Sequence, residues 1–425
     1  MRVLVVGGGG REHALCWALA RSATVYCAPG SPGTAQIGTN VPANPSDHNA
    51  ILHAVKHHHI DLTVIGPEAP LAAGLVDRLA AAGYPTFGPT AAAARLESSK
   101  AFAKEAMLAA GVVTPDSQTF TEETPALAYI ATHDEPLVVK ASGLAAGKGA
   151  IVCETREQAA AAATEMFGGR FGDAGRTVIV EDCLVGEELS ILALTDGAQL
   201  LLLPASQDHK RIGEGDSGPN TGGMGAYTPV SIVDESLLET VEQDVLRPVL
   251  DFLESKGTPY RGVLYAGLMI RDDAPPSVLE FNCRFGDPEA QVVLPAIDLD
   301  LVEHMWRIAS GESWHPESTV CPPARAAVTT VLAAQGYPAT PLKGSLIHVP
   351  QEFPPHTILF HAGTVLDSAG TLRTSGGRVL CATGLGKDVV EAAGRSRELA
   401  ERITFEGRQY RRDIAWREVA RAGAA

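Results

Sequence analysis

Short, unbroken apolar runs ending in glycine mark the first part of the chain. Val3–Val6 runs straight into Gly7–Gly10, which predicts a buried parallel strand followed by a tight turn, with a helix over Glu12–Ala20. Thr24–Cys27 predicts a second strand, and Leu62–Ile65 a later one that ends at Gly66-Pro67-Glu68. Strands alternating with helical stretches imply an open α/β sheet, and in such sheets ligands lie beyond the carboxyl ends of the strands. Gly7–Glu12 and Gly66–Pro70 both fall at that end.

Further along, a Gly-Pro-Thr turn at Gly88–Thr90 precedes a helix containing Lys100–Ala109, and a linker follows at Gly111–Pro115. Leu137–Lys140, a glycine loop at Gly143–Gly149 and Ala150–Cys153 read as strand, loop, strand. Arg176–Glu181 and Leu189–Leu194 predict further strands, and Gly262–Ile270 and Val278–Phe285 a pair separated by Asp272–Pro276. Residues 206–228 are polar and hold six glycines; a loop that long inside a compact domain is usually functional. After about residue 325 short β-like runs (Ala326–Leu332, Ser345–Val349, Thr357–Thr364, Gly377–Ala382) precede one helix, Lys387–Ile403. This texture predicts a small closing β-rich domain.

Composition narrows the class. At about 150 residues per domain, 425 residues suggest about three domains. Hydrophobic residues make up 45% and charged residues 20%, enough to bury a substantial core and to exclude disorder as the main theme. With 34 basic against 50 acidic residues, the net charge of −16 repels nucleic-acid backbones and anionic membranes, while leaving room for a local basic pocket. Seven cysteines, none spaced C-x-x-C, argue against a disulfide framework or zinc ribbon and fit a reducing compartment. The N-terminal apolar run is too short for a signal peptide, and no stretch has the roughly 18 apolar residues of a membrane span. The expected location is cytoplasmic.

Several segments carry candidate chemistry. The dinucleotide fingerprint G-x-G-x-x-G fails, because Glu12 or His13 stands where its last glycine belongs; the turn and helix start, with Arg11, still suit an anion. Gly143–Gly149 is not a P-loop either: three residues separate its first two glycines, and a strand follows. It reads as a hairpin lid that lays backbone N–H groups over phosphates, with Lys140 and Lys148 supplying charge. In Val278–Phe285, period two puts Glu280, Asn282 and Arg284 on one face and Phe281, Cys283 and Phe285 on the other. The polar face offers two oxygen ligands suited to Mg²⁺ shared with phosphates, and Arg284 a clamp for a carboxylate or phosphate. Val180–Glu188 reads as a connector able to meet an adenine edge and ribose hydroxyls. His57–His59 point in three directions on a helix, and Arg411-Arg412 is too short for a nucleic-acid patch.

Together these segments resemble the ATP-grasp ligases, and more narrowly the phosphoribosylamine–glycine ligase family. The resemblance rests on Gly9–Ala14, Gly66–Leu71, Ser99–Phe102, Lys140–Gly149, Ser206–Arg211, Gly218–Tyr227, Glu280–Glu289, Gly336–Pro338 and Tyr410–Ile414, in family order over nearly the whole chain. It implies an α/β and α+β multidomain fold. An N-terminal open parallel α/β sheet (1–103) precedes a central ATP-grasp domain (104–325) with a hairpin lid at about 120–190 and a small C-terminal β-rich domain (326–425). The implied reaction joins glycine to 5-phosphoribosylamine with ATP as co-substrate and Mg²⁺ or Mn²⁺ as cofactor, through a glycyl phosphate. An alternative is another ATP-grasp carboxylate–amine ligase.

Carried over by position, Lys100, Lys140 and Lys148 contact ATP phosphates, Glu181 and Leu184 frame adenine, Glu188 meets the ribose, and Glu280 and Asn282 hold the metal. Gly9, Gly10, Arg11, Glu12, Glu68, Asp208 and Arg284 serve the glycine and phosphoribosylamine pockets, with Arg284, Asp208 and Lys148 as the catalytic set. Many relatives take a second acidic metal ligand from the preceding strand. Gly262–Ile270 has none, so phosphates and water carry more of the shell. The expected partners are small molecules only, and the expected state a monomer or weak homodimer with a single activity.

Overall fold

The computed structural model describes residues 1–145, 147–272 and 274–424; Ala146 in the glycine loop and Asp273 in the Asp272–Pro276 connection lie outside the described residues, as does Ala425. Strands β1 (Arg2–Gly7), β2 (Thr24–Pro29), β3 (Thr39–Asn40), β4 (Leu62–Ile65) and β5 (Thr86–Phe87) form a parallel sheet in the order β3-β2-β1-β4-β5. Val3 and Val5 pack into one buried cluster and Leu4 and Val6 into another, so the sheet is covered on both faces. That is why β1 is apolar at every one of these positions. The chain leaves β1 toward β2 and later returns as β4 on its other side, which opens a crevice at Gly7–Arg11 and Gly66–Glu68.

A second sheet, β6 (Ser117–Phe120), β7 (Leu137–Ala141), β8 (Ala150–Cys153) and β9 (Val178–Asp182), is antiparallel in the order β6-β9-β7-β8. Phe120, Ile130, Leu137, Val139, Met166, Val178 and Val180 give it a core of its own, drawn only from residues 120–180. A unit with a private core can swing without opening its neighbours' cores.

Next come β10 (Glu187–Thr195), β11 (Leu200–Leu202), β12 (Gln207–Asp208), β13 (Arg211–Gly213), β14 (Ser217–Asn220), β15 (Gly225–Thr228), β16 (Gly262–Arg271) and β17 (Ala274–Asn282). The third sheet runs β11-β10-β16-β17. Here β17 is the edge strand, which is why Pro275 and Pro276 are tolerated in it although the sequence pattern leaves both in the connection. It ends at Asn282, short of the expected Phe285, because the Cys283 N–H donates to the Glu97 carboxylate at 2.7 Å instead of continuing a ladder.

The last part contributes β18 (Ala326–Ala333), β19 (Thr357–His361), β20 (Thr364–Leu366), β21 (Leu372–Thr374) and β22 (Arg378–Gly386), followed by a helix over Val389–Arg402. Ser345–Val349 makes only isolated bridges, Leu346 to Arg373 and His348 to Thr404, and forms no strand. Residues 206–228, expected as a loop, hold β12–β15 instead. β12 and β15 extend the closing sheet, whose order is β12-β15-β18-β22-β19. Their two to four residues carry no apolar run, and the buried strand β18 supplies their register. No helix among the described residues is long and apolar enough to cross a membrane.

Candidate active site

The turn after β1 builds one wall. Gly7 has φ +126°, and a Cβ there would sit 2.5 Å from the Glu12 Cγ, so a side chain is excluded twice over. Glu12 is buried and spends both oxygens locally: Oε2 accepts the Gly9 N–H at 2.7 Å, which caps the helix over Gly10–Leu19, and Oε1 accepts Arg11 Nε at 2.6 Å. Arg11 is thereby aimed toward the strand ends, with NH1 on the Phe285 carbonyl at 3.3 Å and NH2 4.0 Å from Glu68.

A cavity of about 500 Å³ lies between this turn, the β6–β9 sheet and the β10–β17 sheet. On the side of the β6–β9 sheet it is cationic. Lys140, at the end of β7, pairs with Glu181 and donates to the Leu279 carbonyl at 3.1 Å; Lys104 pairs with the other Glu181 oxygen at 2.9 Å. Lys100 reaches the Gly143 carbonyl at 3.3 Å. Burial lowers the Lys100 and Lys104 ammonium groups, opposed by Glu280 and Glu181 respectively. Leu184, Cys183, Gly147, Gly149 and Ala150 complete this side. Three lysines facing one void suit a polyphosphate.

Opposite stands Arg284. Its guanidinium pairs with Glu97 at 2.7 Å, faces Glu68 at 3.4 Å and donates to Asn282 Oδ1 at 3.0 Å. Burial works to raise the Glu68 carboxyl, yet Arg284 and Arg11 hold it below the ordinary range. Among the described residues Arg378 of β22 is the one beyond 325 that lines the cavity; it pairs with Asp287 at 3.1 Å and with the Gly222 carbonyl. Gly223, φ +107°, lies so near Pro288 that a Cβ would approach its Cδ to 2.4 Å, so the Gly222-Gly223 turn is pressed against the Asp287 turn.

Between these two walls carboxylates converge. Glu188 pairs with Lys210, and Glu289 Oε1 accepts from the Tyr265 hydroxyl at 3.2 Å and from Ser190 at 3.3 Å. Asp208 is pushed up to about 7, first by burial and then by Glu289, Glu188 and Glu280, against the pull of Lys210. Burial would raise Glu280 too, but Lys210, Lys140, Lys100 and Arg284 keep it ionised.

Glu280 makes no hydrogen bond or ion pair with any described residue and lines the cavity together with Asn282, whose amide oxygen accepts from Arg284 at 3.0 Å. That donor set fits a hard divalent cation. Among the described residues no three acidic, histidine or cysteine ligands gather at one point, so most of an octahedral shell is left to phosphate and water.

Of the residues singled out from sequence, Arg11, Glu68, Lys100, Lys140, Glu181, Leu184, Glu188, Asp208, Glu280, Asn282 and Arg284 all line this one cavity. Gly9, Gly10 and Glu12 do not; they shape the turn that presents Arg11. Lys148 is exposed on the glycine loop and is not in the lining. Sequence reasoning missed Glu97, Lys104, Glu289 and Arg378. Lys104 carried a signal, standing one helical turn from Lys100 on the helix Lys100–Ala109. Arg378 carried none, since only the closing sheet brings it here.

An antiparallel sheet with its own core, set against a second antiparallel sheet across a lysine-lined cavity, defines an ATP-grasp enzyme. The comparisons agree. Family models for the phosphoribosylglycinamide synthetase N domain, ATP-grasp (A) domain and C domain match residues 1–97, 98–290 and 327–417. The chain belongs to that family. It is 46% identical over 428 residues to the phosphoribosylamine–glycine ligases of Salmonella typhimurium and of Escherichia coli K12, covering 99% of each chain. A solved phosphoribosylamine–glycine ligase from Thermotoga maritima superposes with a TM-score of 0.86 at 35% identity, over 97% of this chain and 100% of that one. The biotin carboxylase of Campylobacter jejuni, at 14% identity and a TM-score of 0.73 over 96% of this chain and 92% of that one, shares the fold. The protein is an ATP-dependent ligase of purine biosynthesis.

Proposed function

We propose that this protein joins the carboxyl group of glycine to the amine of 5-phosphoribosylamine, converting ATP to ADP and phosphate and releasing glycinamide ribonucleotide. A glycine carboxylate oxygen attacks the γ-phosphorus and ADP leaves, giving glycyl phosphate. The phosphoribosylamine nitrogen then attacks the acyl carbon, phosphate leaves, and the nitrogen sheds a proton. The observation that carries this reading is the single cavity with lysines on one wall and the Arg284–Glu68–Arg11 group on the other. One wall suits a triphosphate, the other a zwitterionic amino acid and a phosphorylated amine.

In this reading Lys100, Lys104 and Lys140 take the charge of the phosphates, and catalysis is mostly positioning and neutralisation. Glu181 is committed to Lys104 and Lys140, so it serves the nucleotide by holding those lysines, with the backbone around Leu184 left for the adenine. Arg284 and Arg11 orient the carboxylate and the phosphorylated amine beside Glu68. Asp208, with its carboxyl near 7, is suited to take the proton from the attacking amine. A divalent ion, Mg²⁺ or Mn²⁺, held by Glu280 and Asn282 would supply further neutralisation of phosphate charge. The separately cored 120–180 unit, with Lys148 at its exposed loop, would close over the site and shield the acyl phosphate from water. Seven free cysteines are in keeping with work in the cytoplasm.

The test is ADP release with ATP, Mg²⁺ and freshly generated phosphoribosylamine, with and without glycine. We expect glycine-dependent ADP release and a product of glycinamide ribonucleotide mass. ADP release with bicarbonate or D-alanine in place of glycine, and none with glycine, would overturn the assignment.

A further inference from the structure

The segment at Tyr410–Ile414, singled out from sequence without a role, lies against the residues 206–228. Along that stretch Asp208 and Lys210 line the cavity, while His209 between them turns the opposite way and is buried. There its Nε2 accepts the backbone N–H of Ala415 at 2.9 Å, and its Nδ1 faces Asp216 at 3.7 Å. Asp216 sits between β13 and β14 and receives Arg411 at 2.8 Å, Arg417 at 2.7 Å and the Trp416 indole at 3.3 Å. The Arg411 side chain is 1% exposed; it also pairs with Asp413 at 2.7 Å and donates to the Arg211 carbonyl at 3.1 Å. Backbone bonds finish the seam: Gly215 N–H to Asp413 at 2.8 Å and Arg412 N–H to Glu214 at 3.1 Å.

We propose that Arg411 is a positioning residue for the ligation: through Asp216, and through Ala415 against His209, residues 410–417 hold the 206–228 stretch so that Asp208 and Lys210 face the reacting groups. This rests on the reading of Asp208 and Lys210 as members of the site. Six glycines leave the stretch little local stiffness, and its strands are two to four residues long. Ordering it anew for each substrate would cost conformational entropy, and a displacement of about 1 Å at a reacting group can cost about a hundredfold in rate. The Arg411 fork engages Asp216, Asp413 and a carbonyl at once, a geometry a lysine cannot copy.

The experiment uses the full chain with Arg411→Lys, Asp216→Asn and Lys210→Met, reading steady-state kinetics and backbone hydrogen exchange. Arg411→Lys and Asp216→Asn are expected to lower kcat about tenfold or more while the KM for ATP stays within about twofold. Exchange should quicken in 206–228 and stay unchanged in the 120–180 unit. Lys210→Met should lose turnover with exchange unaltered. Wild-type kcat in both Arg411→Lys and Asp216→Asn, beside an impaired Lys210→Met, overturns the positioning role and leaves the site reading standing. A fall in kcat with exchange raised throughout the chain, or with no change in 206–228, also overturns it. Normal turnover of Lys210→Met sinks the site reading beneath it.

Discussion

The backbone N–H of His361 donates to Nδ1 of His13 at 2.8 Å, which stitches β19 to the first helix across 348 positions of sequence. The bond requires His13 to be neutral at Nδ1. Burial drives its pKa down to about 3, helped by His361, and burial takes His361 itself to about 4.

The sign of the pH dependence follows. Both folded-state values lie below the unfolded value of about 6.5, so in acid the unfolded chain binds protons that the folded chain refuses. The stability they contribute is complete above about pH 6.5 and is lost as pH falls, down to about 4 for His361 and about 3 for His13. Each histidine adds a slope of up to about 1.4 kcal/mol per pH unit in that window. Melting temperature measured at pH 7 and pH 5 should fall less in His13→Gln than in the wild-type protein. Equal falls in the two proteins would remove His13 from this account.

Ala415 has φ +66°, a left-handed conformation that costs a non-glycine residue about 1–2 kcal/mol. Glycine would relieve that strain but lose more entropy on folding. Ala415→Gly should therefore stabilise by a net of about 0.5–1 kcal/mol, seen as a rise of about 1–2 °C in melting temperature. A lower melting temperature would mean that the alanine methyl contributes more packing than its backbone costs.

Glu280 is the one cavity carboxylate left ionised by four surrounding cations with no partner of its own among the described residues. Glu280→Gln keeps the volume and removes the charge. It should lower kcat by about a hundredfold or more while the circular dichroism spectrum is unchanged. Near-normal turnover at saturating Mg²⁺ would refute its metal role.

Lys148 is exposed on the loop between β7 and β8. In the proposed mechanism its work falls in lid closure rather than in nucleotide capture. Lys148→Ala should reduce kcat about tenfold and leave the Kd for ATP within about twofold. Turnover equal to that of the wild-type protein would count against the lid assignment.

What a local pattern can specify, the sequence specified. Leu62–Ile65 and Ala150–Cys153 form the strands their apolar runs predict, and Lys100–Ala109 the helix. The open parallel sheet followed from such alternation, because buried parallel strands leave an apolar signature whatever they pack against. Glu280 and Asn282 were legible because period two places them on one face of β17, and Lys140 because it lies near the end of a strand beside a glycine loop, whereas Arg284 lies past the strand end and reaches the same cavity from the turn that follows. Tertiary structure decided the rest. Glu12 looked like a substrate ligand, but its oxygens close the turn and aim Arg11. Glu97 and Arg378 enter the cavity from elements 187 and 94 positions from Arg284, a separation over which no local periodicity acts. In 206–228, β15 pairs with the buried strand β18 and β12 pairs with β15, while Arg411 is a counter-charge to Asp216 between β13 and β14. Short polar segments bury too little apolar surface to choose their own conformation, so partners distant in sequence choose it for them.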